Sequence, residues 1–205
     1  MTTSCNIKEN NNSINENLDS KRFEKLQLLC NQEPPRCSKF PGFPVCGCTI
    51  PCRKALREAK MQEIVDRLYL GSIENACNRL ELLEKNIFNI IDLSDQKYFQ
   101  DVDCFEFLKI EITDNSFENI AQHFEKCTSR IEQILNDKRK IDALDEHLNI
   151  ERGVLVHCKA GISRSVTIVC AYLIKYRGMT VEEALAVVQS KRSVAQPNDG
   201  FIEQL

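Results

Sequence analysis

Residues 153–165 read GVLVHCKAGISRS, and the reading of this stretch decides the fold. Gly153–His157 is a short apolar run of the length that suits a buried strand. From Ser165 to Tyr176 the chain is apolar almost all round, which predicts a helix buried on most sides. The loop between them directs backbone N–H groups and the positive end of the helix dipole into one small concavity. Such a concavity suits a tetrahedral oxyanion. Gly161 permits a backbone turn that a side chain would obstruct. Arg164 adds a planar fork of donors matched to two phosphate oxygens, which a lysine does not supply in the same bidentate way. Cys158 stands at the start of this cradle, where the same donors favour thiolate. A thiolate beneath a bound phosphate is a nucleophile in line with phosphorus.

Working outward, Ile87–Leu93 (IFNIIDL) and Phe105–Ile112 (FEFLKIEI) are two more apolar runs of strand length. Ile64, Leu68 and Leu70, around Val65 and Tyr69, predict one further strand closed by Gly71, with Ser72 placed to cap a helix. Phe117, Ile120, Phe124, Cys127, Ile131 and Ile134 recur at steps of 3, 4, 3, 4 and 3, a core-facing helical stripe. Downstream, Gly178 ends the buried helix, Thr180 with Glu183 forms a capping box, and Pro197-Asn198-Asp199 starts a last helix. Strands alternating with helices predict an α/β fold: a central, mostly parallel, twisted sheet flanked by helices.

The 205 residues, 42% hydrophobic, suffice for one substantial core. No apolar run reaches the roughly 18 residues of a membrane span, and Met1–Asn12 lacks a signal-peptide stretch. The expected compartment is the cytoplasm, with the nucleus second. A net charge of −3 argues against a nucleic acid partner. The charge divides unevenly: residues 1–60 carry 10 Lys+Arg against 6 Asp+Glu, and residues 61–205 carry 17 against 24. The first 20 residues are Asn-rich, Lys21–Cys30 has the spacing of a short amphipathic turn, and five of the six prolines lie between Pro34 and Pro51. Residues 1–58 therefore read as an irregular extension, expected to be partly disordered, and residues 59–205 as a single catalytic domain.

The segment HCKAGISRS resembles the signature of the Cys-X5-Arg phosphatases, and within them of the small atypical dual-specificity protein phosphatases. Leu68-Tyr69-Leu70-Gly71-Ser72, Ala171-Tyr172-Leu173 and Pro197-Asn198-Asp199-Gly200-Phe201 to Gln204-Leu205 are similar to family landmarks in family order, covering about residues 60–205. The resemblance implies dephosphorylation of phosphotyrosine and phosphoserine or phosphothreonine in proteins, through a cysteinyl-phosphate on Cys158 and without metal or organic cofactor. It also implies that Lys159, Ala160, Gly161, Ile162, Ser163 and Arg164 bind phosphate. Ser165 hydrogen-bonds the Cys158 sulfur, His157 orients the loop, and Asn198 supports it.

The general acid belongs on the same sheet edge, beyond the carboxyl ends of the strands. Asp114 fits, following the strand expected to end at Ile112, and Ile110–Ile120 (IEITDNSFENI) resembles the family's acid loop with Asn115 and Ser116 as lid residues. Asp92 and Asp95, after another strand, are the runners-up. The 44 positions from Asp114 to Cys158 exceed the usual family separation, because of a charged excursion at Asp137–Glu151. Among the 11 cysteines, Cys37, Cys46, Cys48 and Cys52 cluster densely enough to raise zinc, although their spacing is not a familiar knuckle. Cys77, Cys104 and Cys170 are candidates to trap an oxidised Cys158. Two other function classes stay open: a phosphoprotein-binding module without turnover, and a phosphatase acting on phosphoinositides or RNA 5′-triphosphates.

Overall fold

A computed structural model describes residues 60–96, 105–137 and 151–205. The cluster from Cys37 to Cys52, Cys104 and most of the 137–151 excursion lie outside the described residues. Among the described residues five strands form one sheet: β1 (Gln62–Val65), β2 (Leu68–Gly71), β3 (Ile87–Asp92), β4 (Glu106–Lys109) and β5 (Gly153–His157), in the order β1-β2-β5-β3-β4. Only the β1–β2 pair is antiparallel; β2–β5, β5–β3 and β3–β4 are parallel. The expected mostly parallel α/β sheet is what the chain forms.

Alternation along the strands sorts side chains onto two faces. Leu68, Leu70, Val154, Val156 and Ile91 point into the larger cluster. That cluster is closed by helices α3 (Phe124–Asn136), α4 (Arg164–Arg177) and α5 (Val181–Lys191). Tyr69, Leu155 and Ile90 belong to a smaller cluster with Ala76 and Leu82, from helices α1 (Ile73–Cys77) and α2 (Arg79–Glu84). Helix α4 is the central one: every residue from Arg164 to Leu173 is buried, which accounts for its nearly uniform apolar character. Gly178 ends it in the left-handed conformation, at φ 67°. The Thr180–Glu183 capping box opens α5 as expected, and Asn198 caps a final short helix, α6 (Asp199–Ile202).

Three expectations need correction. The single strand expected through Ile64–Leu70 is a hairpin, because the chain reverses at Asp66-Arg67, with Arg67 at φ 60°. The apolar pattern continued across the turn and concealed it. The strand expected over Phe105–Ile112 ends at Lys109, although Ile110 and Ile112 stay buried beyond it. Finally, Phe117 is not core. It stands 94% exposed on a loop, and helix α3 starts only at Phe124, after a 3₁₀ turn at Ala121–His123.

Candidate active site

Parallel strands bring their carboxyl ends to one edge. Gly71, His157 and Asp92 lie side by side there as register partners. The chain leaves β5 at His157, turns through Cys158–Ser163 and enters α4 at Arg164, so the loop wraps the amino end of a buried helix. Two donors converge on the Cys158 sulfur: the Gly161 N–H at 3.2 Å and the Ser165 hydroxyl at 3.3 Å. Burial alone pushes the Cys158 thiol up. The Arg164 guanidinium, the Ser165 hydroxyl and the backbone N–H groups of Ser165 and Gly161 outweigh it and hold the thiol below its ordinary range. Burial without such donors pushes Cys77, Cys127 and Cys170 up to about 12. Identical chemistry thus divides by surroundings.

Gly161 sits at φ 67°, and a Cβ there would fall 2.4 Å from the Gly71 carbonyl oxygen and 2.7 Å from Arg192 Nη2. Only glycine meets both conditions. Arg164 is nearly buried, its Nη1 donating to the carbonyls of Ile112 at 3.0 Å and Leu93 at 3.3 Å. Its buried Nε has no hydrogen-bond acceptor within the protein and lies 3.5 Å from Asp114 Oδ2. That geometry gives the guanidinium a fixed plane and leaves a donor for a phosphate oxygen.

Asp114 stands across the cradle. Its Oδ1 accepts from the Ser163 hydroxyl at 2.7 Å and from Asn198 Nδ2 at 3.0 Å, while Oδ2 faces Arg164. The runners-up do other things. Asp92 is fully buried and bound to Lys109 Nζ at 2.7 Å and the Ser94 N–H at 2.8 Å, with His157 Nε2 3.5 Å away. His157 is buried too and its Nδ1 meets the Cys158 carbonyl at 3.1 Å; burial lowers its pKa, although Asp92 and that carbonyl oppose the shift. A neutral buried imidazole suits positioning better than proton transfer. Asp95 is more than half exposed, 3.8 Å from Arg164.

The six loop residues come together as expected, held largely by their backbone. Lys159 is half-buried and its carbonyl accepts from the Ile73 N–H at 3.3 Å; the Ile162 carbonyl accepts from the Gln196 N–H at 2.8 Å. Arg192 was not anticipated from the sequence. It is buried, and donates through Nε to the Gly161 carbonyl at 2.6 Å and through Nη2 to the Ala160 carbonyl at 3.0 Å. These bonds occupy two of the loop carbonyls, while the Gly161 N–H is directed at the Cys158 sulfur. A lone arginine in the polar string Gln189-Ser190-Lys191-Arg192-Ser193 carries no signal of burial. Asn198 was anticipated, and it both supports Asp114 and caps α6 by accepting from the Phe201 N–H at 3.0 Å. Among the described residues no group of three or more His, Cys, Asp or Glu side chains is placed to hold a metal ion, and no helix is long and apolar enough to cross a membrane.

Residues 68–205, more than half of the chain, match the family model of the dual-specificity phosphatase catalytic domain. The chain belongs to the dual-specificity phosphatase family. It is a protein phosphatase of the small atypical type. It is 36% identical over 157 residues to dual specificity protein phosphatase 1 of Arabidopsis thaliana, covering 76% of this chain and 73% of that protein. Among solved structures, human DUSP28 aligns with a TM-score of 0.61 at 25% identity, over 71% of this chain and 90% of that one. The human tyrosine phosphatase-like serine/threonine/tyrosine-interacting protein aligns with a TM-score of 0.58 at 32% identity, over 71% and 92%. Of the readings open from sequence, these likenesses favour protein dephosphorylation over a binding-only module and over phosphoinositide or RNA substrates.

Proposed function

We propose that this dual-specificity phosphatase works in two steps through a cysteinyl-phosphate on Cys158. The carrying observation is the Cys158 sulfur, on which the Gly161 N–H and the Ser165 hydroxyl converge at 3.2 and 3.3 Å, so that its thiol is held below its ordinary range while Cys77, Cys127 and Cys170 are pushed above theirs. In the first step Sγ attacks phosphorus and the ester P–O bond breaks. Asp114, protonated, gives its proton to the leaving side-chain oxygen. In the second step Asp114 takes a proton from water as the water oxygen attacks phosphorus. The S–P bond breaks and its electrons return to sulfur, where the Ser165 hydroxyl stabilises the thiolate that leaves.

Arg164 and the loop N–H groups bind the equatorial oxygens, whose charge persists through both steps. His157 and Asn198 position the loop and the acid, and residues 59–205 carry the whole catalytic apparatus. We place its work in the cytoplasm, since a reducing compartment keeps the thiolate active. The substrate is a phosphorylated protein, on Tyr and on Ser or Thr. With phosphotyrosine and phosphothreonine peptides, Cys158→Ser abolishes turnover and Asp114→Ala lowers it by about 10²–10⁴. Acid quenching of a reaction with labelled phosphopeptide traps label on the protein, and Ser165→Ala increases the trapped amount. Full turnover in Cys158→Ser would overturn the mechanism.

A further inference from the structure

Resting on the reading of Asp114 as general acid, we infer that the C-terminal segment Asn198–Gln204 sets the position of the acid loop, with Gly200 and Gln204 as positioning residues. The acid loop has little burial of its own. Glu111 and Thr113–Phe117 are exposed, and between β4 and the 3₁₀ turn only Ile110, Ile112 and Ile120 reach the core. Short internal bonds shape it: Asn115 Oδ1 accepts from the Phe117 N–H at 3.0 Å, and the Asn115 carbonyl accepts from the Glu118 N–H at 3.0 Å. These bonds fix the curvature of the loop and not its place over Cys158.

Ser163 and Arg164 hold its near end, through Asp114 Oδ1 at 2.7 Å and the Ile112 carbonyl at 3.0 Å, and the segment Asn198–Gln204 meets it at three points along its length. At the start of the loop, Asn198 Nδ2 donates to Asp114 Oδ1 at 3.0 Å. In the middle, Gly200 lies so close that a Cβ on it would fall 1.9 Å from the Ser116 carbonyl oxygen. At the end, Gln204 Nε2 donates to the Glu118 carbonyl at 3.0 Å while its Oε1 accepts from the Ala121 N–H at 3.1 Å. A second bond from Nε2 to the Gly200 carbonyl, 2.8 Å, ties the amide back to its own segment. Three points fix the orientation of a body, and these three span the loop from acid to helix. The segment is itself anchored, since Phe201 is fully buried in the main core and the Asn198 side chain caps α6. Gly200 has no left-handed backbone requirement, so the approach of Ser116 is what excludes a side chain there.

The consequence for catalysis is selective. Proton donation matters most when the leaving oxygen is strongly basic and little when it is weakly basic, so displacement of Asp114 shows itself in the leaving-group dependence. The test measures kcat and KM for aryl phosphates on the full chain, from a nitrophenol-type leaving group to one as weakly acidic as tyrosine. Asp114→Asn is the reference, and steepens that dependence. Gly200→Ala and Gln204→Ala are expected to lower kcat/KM, which reports the first step and excludes the later attack by water, roughly 10- to 100-fold for the tyrosine-like ester while leaving it near wild type for the nitrophenol ester. Gln204→Glu, which keeps an acceptor for Ala121 but sets a carboxylate oxygen against the Glu118 and Gly200 carbonyls, is expected to lose at least as much as Gln204→Ala. Should Gly200→Ala not fold, the two Gln204 variants decide. Equal loss on every ester, or no loss, overturns the positioning role. An unchanged slope in Asp114→Asn overturns the acid assignment itself, and the positioning role with it.

Discussion

Cys158 differs from Cys77, Cys127 and Cys170 by what surrounds the sulfur and not by depth, since burial raises all four. Lowering the thiol pKa leaves the thiolate populated as pH falls below the ordinary cysteine range, whereas the other three hold their protons well above neutrality. Alkylation by iodoacetate followed by peptide mapping is therefore expected to label Cys158 at and below neutral pH, with Cys77, Cys127 and Cys170 held protonated and unreactive in the folded protein. Arg164→Ala removes the charge that opposes burial, and the midpoint of that labelling moves upward. Arg192 matters at the same scale for another reason. Its truncation to Ala leaves the Gly161 and Ala160 carbonyls buried beside a void, and is expected to cost about 2–4 kcal/mol of stability, read as a shift in urea midpoint. The cradle residues were legible because nucleophile, glycine and arginine have fixed offsets within one loop. Arg192 was not, because its partners lie 31 and 32 positions away and its work is done on backbone atoms that any sequence presents.

At the scale of the element, α4 and the parallel strands were readable because burial on every side leaves an almost unbroken apolar string. The hairpin β1–β2 was not readable, since Asp66-Arg67 is not a glycine-type turn and Arg67 bears the positive φ itself. The six-position stripe from Phe117 to Ile134 reaches the core from Ile120 onward, is helical only from Phe124, and fails on both counts at its first member. Its period continued into a loop that faces solvent. Phe117→Ala is accordingly expected to change stability by no more than about 0.5 kcal/mol. Ile131→Ala, in the fully buried middle of α3, is expected to cost about 2–5 kcal/mol. Paired thermal melts distinguish the two, and similar losses would contradict the assignment of Phe117 to the acid loop.

For the whole molecule, the residues assigned to chemistry and to its support lie between Gly71 and Gln204 in the sequence, and converge on one edge of the sheet. A protein comprising residues 59–205 is expected to keep the kcat/KM of the full chain on a small aryl phosphate, a comparison that also tests the division at residue 58. The long interval between Asp114 and Cys158 finds its account at this scale. Helix α3 ends at Asn136 and β5 begins at Gly153, so the two ends of this interval lie at the amino end of β5, opposite the edge where Cys158 leaves it. Arg67, in the hairpin turn, fastens both ends of that interval by donating to the Leu135 carbonyl at 2.7 Å and the Arg152 carbonyl at 3.3 Å. With its two ends held so, a change of length between them is expected to leave kcat/KM on a small aryl phosphate unchanged. A fluorescent reporter fused into that interval is therefore expected to yield a protein that glows and still hydrolyses aryl phosphate, and loss of turnover in the fusion would show that the interval does more than join two anchored ends.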